Sequence, residues 1–407
     1  MDDVILFIAA CLTVSLLFSE VCYRLRYPRI IGPILTGILM GFGPIRDFLT
    51  PSAREAISIL SELAIVFLLL LAGMEINLTK LKRSSKDATL ISFFSAIIPF
   101  ILGFFLIKAF YQFGILTTFA DQSTIVALVV GACLSLTAEG TSLAMLIEMN
   151  ALKTRVGTLI LASGILDDLF EIVFLSGLIV FVNDSSELIF LPLHIFAFVT
   201  LVILIWHAVP SIIQFIQKED SRITTLSTII VITFIIASIS HLFGLGPVIG
   251  AFIAGIIIQV SNKDKDDERI DVEELKVLSF SLIVPFFFIN IGLHFDFSSF
   301  FTHPFLIFSV VVIAFVSKIL GTMVVTPFTD LTLRQTHLIG WAMNSRGAME
   351  LVILELARQN NLITSEVYSA IVIMAIITTL IFPAVFKQIV SRYPKILTER
   401  AEKPTDG

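Results

Sequence analysis

The chain has few charged residues. Of its 407 residues, 15% are Asp, Glu, Lys or Arg and 57% are hydrophobic. A soluble domain carries about 25% charged residues, so this chain has too few to cover a surface that faces water. The mean hydropathy of +0.97 agrees. The short alternating segments of a membrane β-barrel are also lacking, whereas long apolar runs recur. The composition therefore predicts an all-α polytopic membrane protein.

The few, scattered cysteine and histidine residues argue against a disulfide-rich protein and against an enzyme. Cys11, Cys22 and Cys133 lie within or at the edge of apolar segments and lack the spacing of metal ligands. A disulfide framework is therefore not expected. The six histidines are scattered and no nucleophile–base pair stands out, so the sequence does not support an enzyme, and we expect no cofactor. The N-terminus lacks the basic stretch of a signal peptide and is interpreted as the first span.

Thirteen apolar segments are predicted as membrane spans, most of them near the roughly 20 residues that cross a bilayer. They cover residues 4–23, 29–43, 56–76, 87–110, 122–149, 154–182, 189–216, 224–242, 245–261, 273–295, 304–326, 335–358 and 365–390. We expect a multi-pass protein of the cell (inner) membrane, in contact with lipids and not with nucleic acid.

The basic residues orient these spans. With thirteen spans, 21 of the 27 Lys and Arg fall on one side of the membrane, and only Arg46, Arg54 and Arg358 fall on the other. Basic residues are enriched on the cytoplasmic side. The N-terminus is therefore predicted outside and the C-terminus in the cytoplasm. Residues 393–407 form a short cytoplasmic tail, and no soluble regulatory domain is expected.

Two pairs of motifs indicate an internal duplication. GPILTGILMG at 32–41 and GPVIGAFIAG at 246–255 share an initial Gly-Pro and a Gly nine positions later. GMEINL at 73–78 likewise matches GLHFDF at 292–297, since both read Gly, apolar, Glu or His, apolar, Asn or Asp, apolar. Two weak matches in the same order are stronger evidence than either one alone.

The duplication predicts an inverted repeat. Within a transmembrane domain of residues 1–392, one repeat covers about 1–183 and the other about 224–392, joined by the helix 189–216. Seven crossings separate the two starts, so the second copy is inserted upside down. Inverted repeats are the architecture of many secondary transporters, whose ion site lies near the membrane midplane.

Two spans at equivalent positions of the repeats are interrupted by polar residues. The interruptions are SLTAEGTS at 135–142 and MNSRGAME at 343–350, and each places a charged residue, Glu139 or Arg346, beside a glycine. Glycine lowers the cost of leaving helical geometry, and polar neighbours can satisfy the freed backbone groups. The sequence therefore predicts two discontinuous helices, with Glu139 and Arg346 compensating each other's charge.

Two adjacent carboxylates lie near the middle of the sixth span. Asp167 and Asp168 are about 20 Å along this helix, too deep for short side chains to reach water. Lys318 lies at a comparable depth in another span and needs a carboxylate partner. A carboxylate is a hard ligand for a small cation and, when buried, can hold a proton instead. A site that takes either a cation or a proton, never both, exchanges them by competition.

The chain resembles a known family over nearly its whole length. It is similar to the monovalent cation:proton antiporter superfamily, in particular the second branch, which includes sodium/proton antiporters and Kef-type potassium efflux systems. The motifs that carry the resemblance are GMEINL, LSLTAEGTS, ASGILDD, SKILG around Lys318, and NSRGAMELVI.

The resemblance implies a homodimer of thirteen-span subunits, each with a dimerisation domain and a six-helix core containing two crossed discontinuous helices. It also implies that Asp168 binds the cation and the proton, while Asp167 pairs with Lys318 and exchanges that partner during the cycle. Na⁺ would be held by Asp168, Asp167 and Thr137. The accessory candidates are Thr137, Ser163, Glu171, Asn344 and Glu350.

Within the family, two aspartates at this position are typical of electrogenic sodium/proton exchangers, whereas potassium-exchanging relatives commonly have Gln-Asp. The chain departs from the family at the first interruption, where Thr-Ser-Pro or Thr-Asp-Pro is common and Thr137-Ala138-Glu139-Gly140 stands here. This glutamate, together with Glu171, leaves stoichiometry and ion choice open.

Exchange of Na⁺ or Li⁺ for H⁺, with a role in pH homeostasis, is the favoured function. A K⁺/H⁺ antiporter of the same fold is the alternative. A sodium-coupled symporter of an organic anion is a third hypothesis, because the N-termini of broken helices can hold a carboxylate substrate. A channel is disfavoured, since no repeated filter-like motif is present.

Overall fold

The computed structural model describes residues 2–25, 27–43, 50–75, 86–137, 154–164, 166–167, 222–243, 245–261 and 272–397, with a few single residues between these ranges. The predicted span 189–216, apart from one residue, lies outside the described residues, and so do Glu139, Asp168 and Glu171. Every regular element in the described part of the chain is a helix.

The described residues include fourteen α-helices. They are α1 Asp2–Arg24, α2 Ile31–Gly41, α3 Pro51–Glu75, α4 Lys86–Gln112, α5 Ser123–Ser135, α6 Arg222–Leu242, α7 Gly246–Ser261, α8 Val272–Leu278, α9 Val284–Leu293, α10 Ser298–Thr302, α11 Pro304–Val324, α12 Leu333–Ala342, α13 Ala348–Gln359 and α14 Ser365–Arg392. A π-helical turn, Ser279–Ile283, joins α8 to α9. Residues 155–164 and 166–167 are also helical.

Length and hydropathy identify this as a membrane protein. Seven of the described helices are long and apolar enough to cross a bilayer, and three more are shorter but apolar. The bounds of α1–α4, α6, α7, α11 and α14 lie within about five residues of the predicted spans. The total of thirteen spans stays a prediction.

The chain divides into two compact units. Unit 1 comprises Met1–Phe18, Gly32–Asn77 and Leu175–Leu293. Unit 2 comprises Ser19–Ile31, Leu78–Phe174 and His294–Gly407. Each unit therefore draws on segments from both halves of the sequence.

Unit 1 contains two close helix contacts made by glycines. A Cβ atom on Gly73 of α3 would lie 2.2 Å from the carbonyl oxygen of Phe252 in α7. A Cβ atom on Gly292 of α9 would lie 2.2 Å from the carbonyl oxygen of Ile34 in α2. Only glycine lets the backbones approach so closely, as at small-residue contacts between membrane helices. Gly73 and Gly292 are also the first residues of the two related motifs.

Unit 2 holds both helix interruptions and the helical residues that lead to Asp167. Its hydrophobic core joins α4, α12 and α14 to these helical residues. Ile396 and Leu397, at the end of the described residues, also pack into this core. The buried members include Ile91, Val156, Ile160, Leu338, Ile339, Phe382, Phe386, Val390, Ile396 and Leu397. The core thereby fixes the positions of the elements that carry Ser92, Asp167 and the second helix break.

Candidate ion-exchange site

The second predicted interruption coincides with a break between two helices of unit 2. The α12 helix ends at Ala342, residues 343–347 are not helical, and α13 begins at Ala348. The side chain of Glu350 caps the new helix, because its Oε2 atom accepts a hydrogen bond of 3.2 Å from the backbone N–H of Gly347. A carboxylate at this position also complements the positive end of the helix dipole.

The first predicted interruption begins where α5 ends, at Ser135. Leu136 has an extended backbone with φ −74° and ψ 155°, and Thr137 is likewise not helical. Residues 138–141 lie outside the described residues. The last carbonyl groups of α5 have no partner within their own helix and must find one elsewhere.

Arg346, in the second break, supplies that partner. Its Nη1 atom donates hydrogen bonds to the carbonyl oxygens of Cys133, at 3.1 Å, and of Leu136. Its Nη2 atom donates to the carbonyl oxygen of Leu134 at 2.9 Å. Arg346 is fully buried. The guanidinium group therefore caps the negative end of α5, and one break stabilises the other.

Several buried polar atoms around the second break have no hydrogen-bond partner within the described part of the chain. They are Asn344 Oδ1, Ser345 Oγ, Arg346 Nε and Glu350 Oε1. The predicted pairing of Arg346 with Glu139 stays a prediction, because Glu139 lies outside the described residues.

Asp167 is buried among hydrogen-bond donors. Its Oδ1 atom accepts a bond of 2.6 Å from the hydroxyl group of Ser92, and its Oδ2 atom accepts one of 2.7 Å from the hydroxyl group of Thr137. The Nζ atom of Lys318 lies 3.6 Å from Oδ2. Both charged side chains have at most 1% of their surface exposed. Such a pair persists in a low-dielectric interior only when its remaining polar atoms are also satisfied.

Lys318 is held by the end of α5 as well as by Asp167. Its Nζ atom donates to the carbonyl oxygen of Ser135 at 2.5 Å and to the hydroxyl oxygen of Thr137 at 2.6 Å. Thr137 thus accepts from the ammonium group and donates to the carboxylate. The start of the first interruption consequently bridges the acid and the base.

The remaining candidates occupy different surroundings. Ser163 is buried and donates to the carbonyl oxygen of Ala88 at 3.3 Å, whereas the Nδ2 atom of Asn344 donates to the carbonyl oxygen of Gly340 at 2.9 Å. The sequence analysis did not select Ser92. The only signal was that Ser92 is one of two serines in the apolar middle of α4, and that pattern does not distinguish it from Ser95.

The chain is similar to known proteins over nearly its whole length. Residues 8–392 match the family model for the transmembrane part of sodium/hydrogen exchangers. The chain is 29% identical over 374 residues to the Na(+)/H(+) antiporter of Enterococcus hirae, covering 91% of this chain and 93% of that protein. It is 27% identical over 385 residues to the Na(+)/H(+)-K(+) antiporter GerN of Bacillus cereus, covering 93% and 94%.

A solved structure has the same fold. The sodium proton antiporter MjNhaP1 of Methanocaldococcus jannaschii at pH 8 superposes with a TM-score of 0.64 at 14% identity, over 97% of this chain and 99% of that one. The family model covers nearly the whole chain, with both helix interruptions and Asp167 inside the matched region. The chain belongs to the sodium/hydrogen exchanger family.

Proposed function

We propose that this protein exchanges Na⁺ for H⁺ across the membrane in which it lies. The observation that carries the proposal is the buried set of Asp167, Thr137 and Lys318 at the start of a helix break. A buried carboxylate can bind either a cation or a proton, and a buried lysine beside it can balance its charge. Such a site can therefore exchange one species for the other. The printed names of the relatives in Enterococcus hirae and Bacillus cereus support the choice of Na⁺.

Asp168 is the proposed cation ligand, with Asp167 and Thr137 contributing oxygen atoms. Adjacent residues of a helix point about 100° apart, so in a continuous helix Asp168 would face other surroundings than Asp167. Na⁺ prefers carboxylate and hydroxyl oxygens, and the same carboxylate can hold a proton. Since one group binds either species, each displaces the other.

Lys318 is the proposed switch. Before a cation binds, its ammonium group balances the charge of Asp167. When the cation recruits Asp167, the ammonium group is left buried without its counter-charge, which favours loss of its proton. That proton adds to the one from Asp168, so two protons would exchange for one Na⁺ and the cycle would be electrogenic.

The finer architecture belongs to the same proposal. We expect a homodimer of subunits with thirteen spans in two inverted repeats, with crossed discontinuous helices. The equivalent motif glycines, Gly73 and Gly292, support the repeats, because each packs against the backbone of a helix from the other half of the sequence. We also expect the N-terminus outside the cell membrane and the C-terminus in the cytoplasm.

Exchange of K⁺ for H⁺ is the second candidate. It is favoured by the printed name of GerN, which includes K⁺. Transport of an organic anion is disfavoured. Both terminal nitrogens of Arg346 are engaged by backbone carbonyl groups, and Lys318 is beside Asp167, so the groups best suited to bind an anion already have partners within the protein.

Exchange in proteoliposomes tests the proposal. The purified chain would be reconstituted and its H⁺ movement followed on addition of Na⁺, Li⁺ or K⁺, with and without an imposed membrane potential. We expect exchange with Na⁺ and Li⁺ that responds to the potential. Exchange with K⁺ alone would replace the first candidate by the second, and no cation-driven H⁺ movement would contradict both.

A further inference from the structure

Two arginines of unit 2 converge on one tyrosine ring. The guanidinium carbon of Arg334, in the first turn of α12, lies 5.4 Å from the centroid of the Tyr393 ring. That of Arg392, the last residue of α14, lies 5.9 Å from the same centroid. All three residues are exposed. Two positive charges are thus brought together at the end of the molecule where α14 finishes.

Neither arginine has a carboxylate within ion-pair distance in the described part of the chain. A comparable contact elsewhere has a carboxylate beside it. Arg29 lies 4.3 Å from the centroid of the Tyr23 ring, and Glu20 lies 3.8 Å from Arg29 and 3.0 Å from Arg24. The two positive charges beside Tyr393 therefore remain available to an anion from outside the described part of the chain.

The position of the pair indicates what kind of anion this is. The α14 helix is one of the helices long and apolar enough to cross a membrane, so its last residue, Arg392, lies at a membrane–water interface. Tyrosine is enriched at this level, where lipid headgroups lie. The guanidinium group is suited to phosphate, because its planar fork can donate two parallel hydrogen bonds.

We propose that Arg334 and Arg392 together bind the phosphate group of an anionic phospholipid, with the Tyr393 ring holding the guanidinium groups at the interface. The bound headgroup would fasten the beginning of α12 to the end of α14.

The turn after Tyr393 is already attached to the same helix. The Nε2 atom of Gln335, in α12, donates a hydrogen bond of 3.0 Å to the carbonyl oxygen of Ile396. Ile396 and Leu397 are buried in the core of unit 2. A lipid at Tyr393 would therefore stabilise the half-helix that leads into the break at residues 343–347.

Lipid titration of the purified full chain in neutral detergent tests the proposal. Native mass spectrometry would count bound lipid and thermal unfolding would report stability, with phosphatidylglycerol, phosphatidylcholine or inorganic phosphate added. An arginine near an anionic surface contributes about 1 kcal/mol, or roughly fivefold in affinity. We expect R334Q/R392Q to bind phosphatidylglycerol on the order of 10- to 30-fold more weakly than the wild type. We expect R334K/R392K to bind it with an intermediate affinity, because lysine keeps the positive charge but lacks the planar fork.

R24Q/R29Q is the matched control, since it removes the same number of arginines from a second exposed cluster, in which Arg29 contacts Tyr23 and both arginines pair with Glu20. It should bind phosphatidylglycerol like the wild type. Equal weakening in the two double variants would contradict the proposal, because binding would then follow total charge. Equal stabilisation by inorganic phosphate would contradict a lipid as the ligand. If R334Q/R392Q does not fold, the single variants carry the test, each with a loss of about fivefold.

Discussion

The Nζ atom of Lys318 lies 3.6 Å from the Oδ2 atom of Asp167, with both side chains buried. The two residues come from segments 151 positions apart and meet at the end of α5, where Thr137 bonds to both. A base, an acid and a broken helix end therefore form one connected group. Anything that moves Thr137 alters the contact between acid and base.

The hydroxyl group of Thr137 gives the first prediction. Thr137→Val keeps the shape of the side chain but removes a donor to Asp167 and an acceptor for Lys318. We expect a loss of about 1–3 kcal/mol in the free energy of unfolding, together with slower exchange. Thr137→Ser keeps the hydroxyl group and should lose much less. Equal thermal stability of the Val and Ser variants in detergent would show that the bridge contributes nothing.

Arg346 gives the second prediction. Arg346→Gln removes the cap from three carbonyl groups at the end of α5, and we expect it to cost about 3–5 kcal/mol. If Glu139 balances the charge of Arg346, the double variant Glu139→Gln with Arg346→Gln should lose less than the sum of the two single losses. Thermal unfolding of all four proteins measures the coupling, and strictly additive shifts would show that the two residues do not interact.

The glycine contacts of unit 1 give the third prediction. Gly73→Ala and Gly292→Ala each place a Cβ atom 2.2 Å from a backbone oxygen, so each should lower stability by about 1–3 kcal/mol through overpacking. Gly43→Ala is the matched control, because nothing lies within 4 Å of its Cβ position. Unfolding temperatures in detergent would measure all three. A loss for Gly43→Ala as large as for the other two would contradict the account.

The paired aspartates give the fourth prediction. Asp168→Asn should abolish exchange while the protein still folds, because an amide ligates a cation weakly and cannot release a proton. Asp167→Asn should keep some exchange but lose most of its dependence on voltage. In this variant Lys318 has no ionised partner from which to separate when the cation binds. Both are measured as H⁺ movement in proteoliposomes. Transport like the wild type by Asp168→Asn would remove that residue from the mechanism.

Much of this arrangement can be predicted from the sequence. The break before Ala348 follows from a glycine beside a charge within an apolar run, which is a local signal. The partners of Arg346 could not be predicted in the same way. They are backbone carbonyl groups of Cys133, Leu134 and Leu136, and every residue has such a group, so no pattern marks them. They are selected only when the two breaks are packed together.

The same limit applies to Asp167. Its depth in the sixth span predicts that it needs partners, and the family resemblance implies that Lys318 is one of them. Ser92, however, contacts it from a different helix 75 positions away. A serine in an apolar helix commonly bonds to its own backbone instead. Its role depends on tertiary packing, which the spacing of residues within one helix does not encode.

The central claim is that Lys318 carries a proton while it exchanges its partner. Its most direct test is Na⁺/H⁺ exchange by Lys318→Arg in proteoliposomes under an imposed membrane potential, beside the wild type. Arginine keeps the positive charge but does not release its proton. We predict that Lys318→Arg folds and that its exchange is very slow or indifferent to the potential, while the wild type responds to it. Exchange by Lys318→Arg at the wild-type rate, with the wild-type response to the potential, would contradict the claim.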